Sequence, residues 1–299
     1  MRPHLRFFTE LDAQDLPALF TPEVCASLRA LEAGVTMGLR DLSDARAQVI
    51  RQLTSEGISV GAWVLVPREQ GYFAHAGNAP QIAERCEQVL AFASDHGLRF
   101  EAIGLDFEPP LEELDALLVR PLSTLWRWKR RSADHQRVAK ARREYAELIS
   151  RLRAAGQRVE SYQFPTVLDD RAQAKTFWQR FAGAMDVEVD REVVMLYSSL
   201  VGRAVFESFG PHARAIGIGS TGGGVDPLPK LDWGRFVTDL RLAASWCDDV
   251  SIFSLEGCVS QGFLPRLLEL DWTAPTPSAR GRHVVNLARR VLGALTAGD

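Results

Sequence analysis

Two acidic residues, Asp106 and Glu108, stand one position apart in the segment AIGLDFE, which is followed by Pro109 and Pro110. The apolar residues of the segment predict a strand, in which alternate side chains face the same side. Two carboxyl groups this close cannot both ionise freely, so the pKa of one is expected to rise. A carboxyl group that keeps its proton near neutral pH can act as a general acid. The segment therefore predicts acid–base chemistry, although a pair tied to arginine or to backbone amides would look the same.

Other polar residues also follow short apolar runs, at the predicted ends of strands. We expect them to contact a substrate, and they are Glu10, Arg40, Gln163, Tyr197 and Glu256. For Glu10 and Arg40 the alternative is an ion pair that joins two neighbouring strands. Glu256 is either a nucleophile or base that faces Glu108, or a salt-bridged residue at the rim. Tyr197 is either catalytic or a half-buried core tyrosine.

Two tryptophans are the aromatic candidates for contact with the substrate. Trp63 lies within the third predicted strand, and Trp126 opens the run WRWKRR at 126–131. Alternating indole and cationic side chains can bind sugar rings, phosphates or a membrane surface. Because this run belongs to a segment that follows the strand of Asp106 and Glu108, we expect a lid over the cleft.

The elements that position these residues are short β-branched or aromatic runs alternating with longer segments of helical period. This alternation predicts parallel strands joined by helices. Eight strands are predicted, at His4–Glu10, Val35–Arg40, Ile58–Val66, Ala102–Glu108, Val159–Phe164, Val193–Ser198, Ala215–Ser220 and Val250–Glu256. The expected fold is a single α/β domain over 1–299, a (β/α)8 TIM barrel whose chemistry lies at the carboxyl ends of the strands.

Local signals support this division. TPE at 21–23 and NAP at 78–80 predict helix starts, and Gly57, Gly97 and Gly156 predict helix ends. Residues 109–135 form an insertion after strand 4, and 275–299 form a linker followed by a helix from Val284 to Leu295. The glycine-rich run STGGG at 220–224 is either a phosphate-binding loop or a flexible turn.

Strand 4 resembles the signature of family 18 glycoside hydrolases, the chitinase-like barrels, whose pattern is Asp-x-x-Asp-x-Asp-x-Glu followed by proline. Glu101, Gly104, Asp106 and Glu108 occupy its four acidic positions, and the last two match. The run MLYS at 195–198 is similar to the family's Met-x-Tyr-Asp, with serine in place of aspartate. The run GIG at 217–219 resembles its seventh strand. The family's tryptophan of strand 8 corresponds here to Ser254.

The resemblance implies roles for three residues. Glu108 would protonate the glycosidic oxygen, while the substrate's own N-acetyl carbonyl attacks the anomeric carbon. Asp106 would orient and stabilise the acetamido group, and Tyr197 would donate a hydrogen bond to its carbonyl. No cofactor is implied. The changes at Gly104 and Ser254 argue against N-acetyl substrates.

Composition narrows the function classes. Hydrophobic residues make up 46% and the net charge is −3, which gives no electrostatic footprint for nucleic acid. The six histidines have no metal-ligand spacing, and the four cysteines are expected to be buried free thiols. No apolar run reaches the length of a membrane span, and the first residues do not resemble a leader, so a cytoplasmic protein is expected.

Three hypotheses follow. The first is a glycosidase with Glu108 as acid/base and Asp106 as its partner. The second is a chitinase-like barrel that binds carbohydrate without hydrolysing it. The third is a sugar or sugar-phosphate isomerase or lyase in which Glu10, Glu108 and Glu256 surround a divalent ion.

Overall fold

The computed structural model of the chain describes residues 2–224 and 228–295, apart from the side chains of 118 and 292–295. Eight parallel strands form a closed barrel in sequence order, and the first strand is hydrogen-bonded to both the second and the eighth. The strands are β1 His4–Thr9, β2 Gly34–Leu39, β3 Val60–Val64, β4 Ile103–Phe107, β5 Val159–Gln163, β6 Arg191–Met195, β7 Ile216–Gly219 and β8 Asp249–Phe253. The predicted α/β barrel is confirmed.

Helices surround the barrel and also follow several strands at its rim. They are α1 Leu16–Leu19, α2 Pro22–Ala30, α3 Asp44–Ser55, α4 Ala79–Asp95, α5 Leu111–Val119, α6 Pro121–Arg131, α7 His135–Ala154, α8 Thr166–Ala172, α9 Phe177–Ala182, α10 Ser198–Val201, α11 Arg203–Phe209, α12 Trp233–Ala244, α13 Leu255–Ser260, α14 Phe263–Leu268 and α15 Arg282–Leu295. Short 3-10 turns lie at Arg68–Gln70 and Gly210–His212. None of the described helices combines the length and apolar character needed to cross a bilayer.

Two strands end three residues earlier in the structure than the sequence predicted. β6 begins at Arg191 and ends at Met195, so Tyr197 and Ser198 lie beyond it. Its first residues are charged because they form ion pairs at the amino end of the barrel. β8 ends at Phe253, and Glu256 belongs to α13 rather than to a strand. The Ser254 side chain accepts a hydrogen bond from the Gly257 amide, which starts a helix where the sequence suggested continued strand.

The sequence signals for helix ends are confirmed. The Thr21 hydroxyl accepts from the Val24 amide at 3.4 Å, as expected of a helix cap. Gly57, Gly97 and Gly156 all have positive φ angles at the points where helices turn into strands. Asn78 also starts a helix, but its carboxamide oxygen accepts from the His75 amide instead of capping α4.

The interior of the barrel is filled mainly by aromatic rings. Phe8, Trp63, Tyr162 and Phe253 are each at most 7% exposed and belong to one buried cluster. The Phe8 and Tyr162 ring centroids lie 4.7 Å apart, and those of Trp63 and Phe253 lie 6.3 Å apart. These rings form a packed floor beneath the carboxyl ends of the strands, so a ligand must bind above them.

Ion pairs close the opposite, amino end of the barrel. Arg191 donates to Glu160 at 2.9 Å and to Asp249 at 2.5 Å, and thus links β5, β6 and β8. Arg6, which is 1% exposed, pairs with Glu101 just before β4. A buried cation of this kind is tolerated because it is paired with a carboxylate.

The C-terminal helix α15 packs on the barrel's outer layer. Arg289 pairs with Asp169 at 2.6 Å, and its guanidinium lies 3.6 Å from the centre of the Phe209 ring. Asn286 accepts a hydrogen bond from Ser208 at 2.5 Å. The four cysteines are buried and free.

Candidate active site at the carboxyl end of the barrel

Asp106 and Glu108 lie at the carboxyl end of β4. Leu105 and Phe107 face the helices, where the Phe107 ring meets Tyr145 of α7 at a centroid distance of 5.0 Å. Asp106 therefore faces the interior and is only 3% exposed. Glu108 follows the strand, and its amide donates to the Ala74 carbonyl at 3.2 Å. The alternation read from the sequence thus places both acids on the interior side.

Burial and mutual repulsion favour the protonated forms of this pair. Burial raises the pKa of Asp106 well above its usual range, and the charges of Glu108 and Glu10 raise it further. Attraction by the nearby Trp63 indole offsets part of this increase. Burial, followed by the charge of Glu10, raises the pKa of Glu108 to about 8. The pair therefore retains a proton at neutral pH and can supply one to a bound molecule.

Glu10 is the third carboxyl group of the cluster. Its Oε1 accepts a hydrogen bond from the Tyr72 hydroxyl at 2.6 Å, and the residue is 5% exposed. Arg40 donates to the main-chain carbonyl of Glu10 at 3.4 Å and pairs with the Asp12 carboxylate at 2.9 Å. The structure therefore brings Glu10 towards Asp106 and Glu108, whereas Arg40 supports the main chain beside it.

The sequence prediction missed Tyr72. It lies in the loop after β3, at the carboxyl end of the barrel, and follows Gly71 in a turn where both residues have positive φ angles. A glycine-containing turn in such a loop was the available signal, because these loops carry the functional groups of barrels of this type. Burial and the neighbouring Glu10 raise the pKa of Tyr72, so its hydroxyl stays a hydrogen-bond donor.

Glu256 adjoins Glu10 from the other side. Its Oε1 accepts from the Glu10 amide at 3.4 Å, while Oε2 is buried and accepts no hydrogen bond from the described residues. Burial raises the pKa of this carboxyl group above its usual value. The charges that raise the pKa of Glu108 come from Glu10. Glu10, rather than Glu256, is therefore the carboxylate most strongly linked to the Asp106–Glu108 pair.

Tyr197 also belongs to the cluster. Its ring stacks on Phe253 with centroids 5.8 Å apart. Burial, followed by the charges of Asp106 and Glu108, raises its pKa well above the ordinary value. The phenol is thus a protonated donor within electrostatic reach of both acids. The neighbouring Ser198 instead donates to Asp239 of α12, away from this cluster.

Two departures from the family 18 pattern have a structural explanation. A Cβ atom on Gly104 would lie 2.2 Å from the Tyr162 hydroxyl oxygen, so the tyrosine occupies the space of the missing acid. On β8 the inward aromatic ring belongs to Phe253, whereas the side chain of Ser254 caps α13. An aromatic ring is therefore present at the floor, on the residue next to Ser254.

Three predicted residues have other surroundings. Gln163 shares its side of β5 with Val159, which packs in the helix-facing core. The side-chain amide of Gln163 donates to the Met185 carbonyl at 2.8 Å. Trp126 is 61% exposed on α6, with the Arg130 guanidinium over its ring. Trp63 is 3% exposed within the barrel, where it can contact a ligand only from beneath Asp106. The structure does not bring Gln163 or Trp126 to the carboxylates.

The described residues contain no group of three or more histidine, cysteine, aspartate or glutamate side chains arranged to hold a metal ion. One oxygen of Asp106 and one of Glu256 are buried without a hydrogen-bond partner among these residues. Buried polar atoms are normally satisfied, and unsatisfied ones need an explanation. A ligand with hydroxyl or amide groups would satisfy both.

No protein-family model and no curated protein matches the sequence. Among solved structures, the PgaB (BpsB) glycoside hydrolase domain from Bordetella bronchiseptica aligns with a TM-score of 0.52 and 12% identity, covering 90% of this chain and 98% of that one. A GH18 chitinase from Pseudoalteromonas aurantia gives 0.51 and 9%, covering 89% and 99%. A xylose isomerase domain protein from Planctomyces limnophilus gives 0.45 and 13%, covering 90% and 96%. Identities this low establish the fold alone.

Proposed function

We propose that the chain is a glycoside hydrolase-like enzyme that cleaves a glycosidic bond, with Glu108 as the general acid and base and Asp106 as its partner. The observation that carries this proposal is a carboxyl group at the carboxyl end of β4 whose pKa is raised to about 8 beside the buried Asp106. An acid that is protonated at neutral pH matches the first step of glycoside cleavage.

The chemistry divides among the clustered residues. Glu108 gives its proton to the glycosidic oxygen as the bond from that oxygen to the anomeric carbon breaks. In the substrate-assisted route, the acetamido carbonyl oxygen forms the new bond to the anomeric carbon. Asp106 orients the acetamido group through a hydrogen bond, and the protonated Tyr197 hydroxyl donates to that carbonyl. Water then adds to the anomeric carbon as the bond from that carbon to the acetamido oxygen breaks, and the Glu108 carboxylate accepts a proton from the water.

For a substrate without an acetamido group, a protein carboxylate must take the nucleophile's place. We assign this role to Glu10 ahead of Glu256, because the charge of Glu10 acts on both Asp106 and Glu108. The Tyr72 hydroxyl would hold Glu10 in position. The proteins whose folds align with this chain include a glycoside hydrolase domain and a GH18 chitinase, which supports the proposal.

The test is hydrolysis of a panel of chromogenic glycosides, both with and without a 2-acetamido group. Glu108→Gln is expected to lower kcat by about 10²–10⁴-fold, the usual contribution of a general acid. Glu147→Gln is the matched control, because Glu147 is an exposed glutamate on the outer side of α7.

The remaining outcomes distinguish the other hypotheses. Sugar binding without turnover by the wild-type protein would identify the carbohydrate-binding barrel, which the tyrosine at the missing acid's position favours. Isomerase or lyase activity that chelation removes and Mg²⁺ or Mn²⁺ restores would identify the metal-dependent enzyme. Hydrolysis that is equal in Glu108→Gln and wild type would refute the role of Glu108.

A further inference from the structure

The outer face of α6 exposes apolar side chains that nothing described covers. Leu122 is 84% exposed, Trp126 61% and Leu125 40%, and Val119 at the end of α5 is 77% exposed. Residues 122, 125 and 126 are spaced three and four apart, so they share one face of the helix. We call Val119, Leu122, Leu125 and Trp126 the α6 stripe. Contiguous apolar exposure of this kind marks an interaction site.

The inner face of the same helix is firmly attached to the protein. Trp128 donates its indole N–H to Glu113 at 2.6 Å and meets the Phe181 ring at a centroid distance of 5.5 Å. Arg131 donates to both oxygens of Glu113 and to the Phe181 and Ala182 carbonyls. The stripe is therefore held outward by a fixed platform, and it does not arise from a helix that has failed to pack.

Cationic side chains flank the stripe along α6. The helix carries Arg127, Lys129, Arg130 and Arg131 and no acidic residue, and Arg120 precedes it. The Arg130 guanidinium lies 4.8 Å from the centre of the exposed Trp126 ring. Of these five cations, only Arg131 pairs with a carboxylate among the described residues. An apolar stripe with an indole, flanked by unpaired cations, is the pattern of a helix that lies in the surface of an anionic bilayer.

We infer that the α6 stripe docks the protein on an anionic membrane surface, with the indole and leucine side chains between the lipid headgroups and the cations on their phosphates. A second copy of the chain fits less well. The stripe consists of four side chains, whereas each partner contributes roughly 20–30 residues to a stable interface. The inference does not depend on the proposed function.

The position of α6 gives the docking a direction. The helix α5 begins at Leu111, three residues after Glu108, and leads directly into α6. The α6 stripe is therefore carried by the segment that leaves the carboxyl end of β4. Docking through it brings this end of the barrel, with its carboxylate cluster, to the bilayer and favours substrates presented there.

The test is co-sedimentation of the full chain with phosphatidylcholine vesicles, with and without phosphatidylglycerol. We expect binding to the anionic vesicles only, weakened by added salt. Leu122→Ser/Trp126→Ser is expected to lower the affinity at least about tenfold, because burial of the two apolar side chains is lost. Both side chains are mostly exposed, so folding should be unaffected, and circular dichroism checks this. Leu287→Ser, at a 62% exposed leucine on α15, is the matched control and should bind as the wild type does.

Three results would overturn the inference. The first is that the wild-type protein binds neither kind of vesicle. The second is that the α6 double variant binds as tightly as the wild type, or that Leu287→Ser removes binding instead. The third is that light scattering shows a dimer that the double variant converts to a monomer, because the α6 stripe would then be an interface between copies.

Discussion

A carboxyl group that is removed from water and faces other carboxyl groups holds its proton more tightly than it does in solution. Burial raises the pKa values of both Asp106 and Glu108. The charges of Glu108 and Glu10 add to the rise at Asp106, whereas at Glu108 the charge of Glu10 adds to it and a hydrogen bond with Asp106 offsets part of it. The sequence alone predicted a raised pKa for one member of the pair, since a spacing of two on a strand puts both acids on one side. It could not predict the larger contribution, which is burial above the aromatic floor.

This arrangement predicts a loss of stability with rising pH. The pKa of Glu108 is about 8 in the folded protein and near its ordinary value of 4.5 when unfolded, so the folded state binds more protons between these values. The stability from its neutral form is complete below about pH 4.5 and is lost as pH rises through about 8. Glu108→Gln keeps a neutral group, and at pH 9 it is expected to be about 1–3 kcal/mol more stable than wild type.

Urea unfolding of both proteins at pH 5 and pH 9 measures this difference. At pH 5 the two should unfold at similar urea concentrations, which controls for any change in packing caused by the amide. An equal decline of stability from pH 5 to pH 9 in both proteins would show that Glu108 does not titrate in this range.

At the scale of single elements, the strands were predictable from their apolar runs, and their ends were less so. Arg191 and Glu192 begin β6 although neither is apolar, because their partners come from distant parts of the chain. Glu256 was assigned to a strand because Leu255 continues the apolar residues of β8 past Ser254, where the helix is capped. A serine that can cap a helix was only a weak local signal, and the apolar residues before it favoured a strand.

The Ser254 cap predicts that a single substitution lowers both the stability and the activity of the protein. Its hydroxyl accepts from the Gly257 amide and donates to the Gly222 carbonyl, so it fixes both α13 and the loop after β7. Ser254→Ala is expected to cost about 1 kcal/mol of unfolding free energy, as is typical of a lost cap. It should also lower kcat, because Glu256 lies two residues away in the first turn of α13.

Thr21→Ala provides the matched control, since Thr21 caps α2 on the outside of the barrel. Thermal unfolding and glycoside hydrolysis are measured for both variants. The two should lose similar stability, and only Ser254→Ala should lose turnover. Equal turnover in the two variants would mean that the start of α13 does not position the active site.

At the scale of the whole molecule, the two ends of the barrel differ in how their carboxyl groups are paired and in the direction in which their pKa values shift. At the carboxyl end, burial and neighbouring charges raise the pKa values of Asp106 and Glu108. At the amino end, Glu101, Glu160 and Asp249 are each paired with an arginine. Burial alone would raise the pKa of Asp249, but hydrogen bonds from His4 and Arg191 lower it below its usual range overall. A carboxyl group with a lowered pKa stabilises the fold above its unfolded pKa, and this stability is lost in acid. The amino end therefore weakens at low pH and the carboxyl end at high pH.

Arg191→Met tests this division. It leaves Glu160, which is 1% exposed, without its cation, and breaking a buried pair in this way is expected to cost about 3–5 kcal/mol. Arg171→Met is the control, because Arg171 pairs with Asp186 and Glu192 near the surface and its loss should cost about 1 kcal/mol or less. Denaturant unfolding measures both, and kcat/KM well below the unfolding transition should match that of wild type. A large loss of kcat/KM in folded Arg191→Met protein would contradict the division.

The hydrogen bond from the Glu10 amide to Glu256 crosses the junction where the first strand meets the last. One acid follows the first strand and the other follows the eighth, so more than two hundred residues separate them along the chain. This corner of the pocket cannot assemble until nearly all of the polypeptide has been synthesised and the ring has closed. A nascent or truncated chain could carry Asp106 and Glu108 and still lack the contact between Glu10 and Glu256.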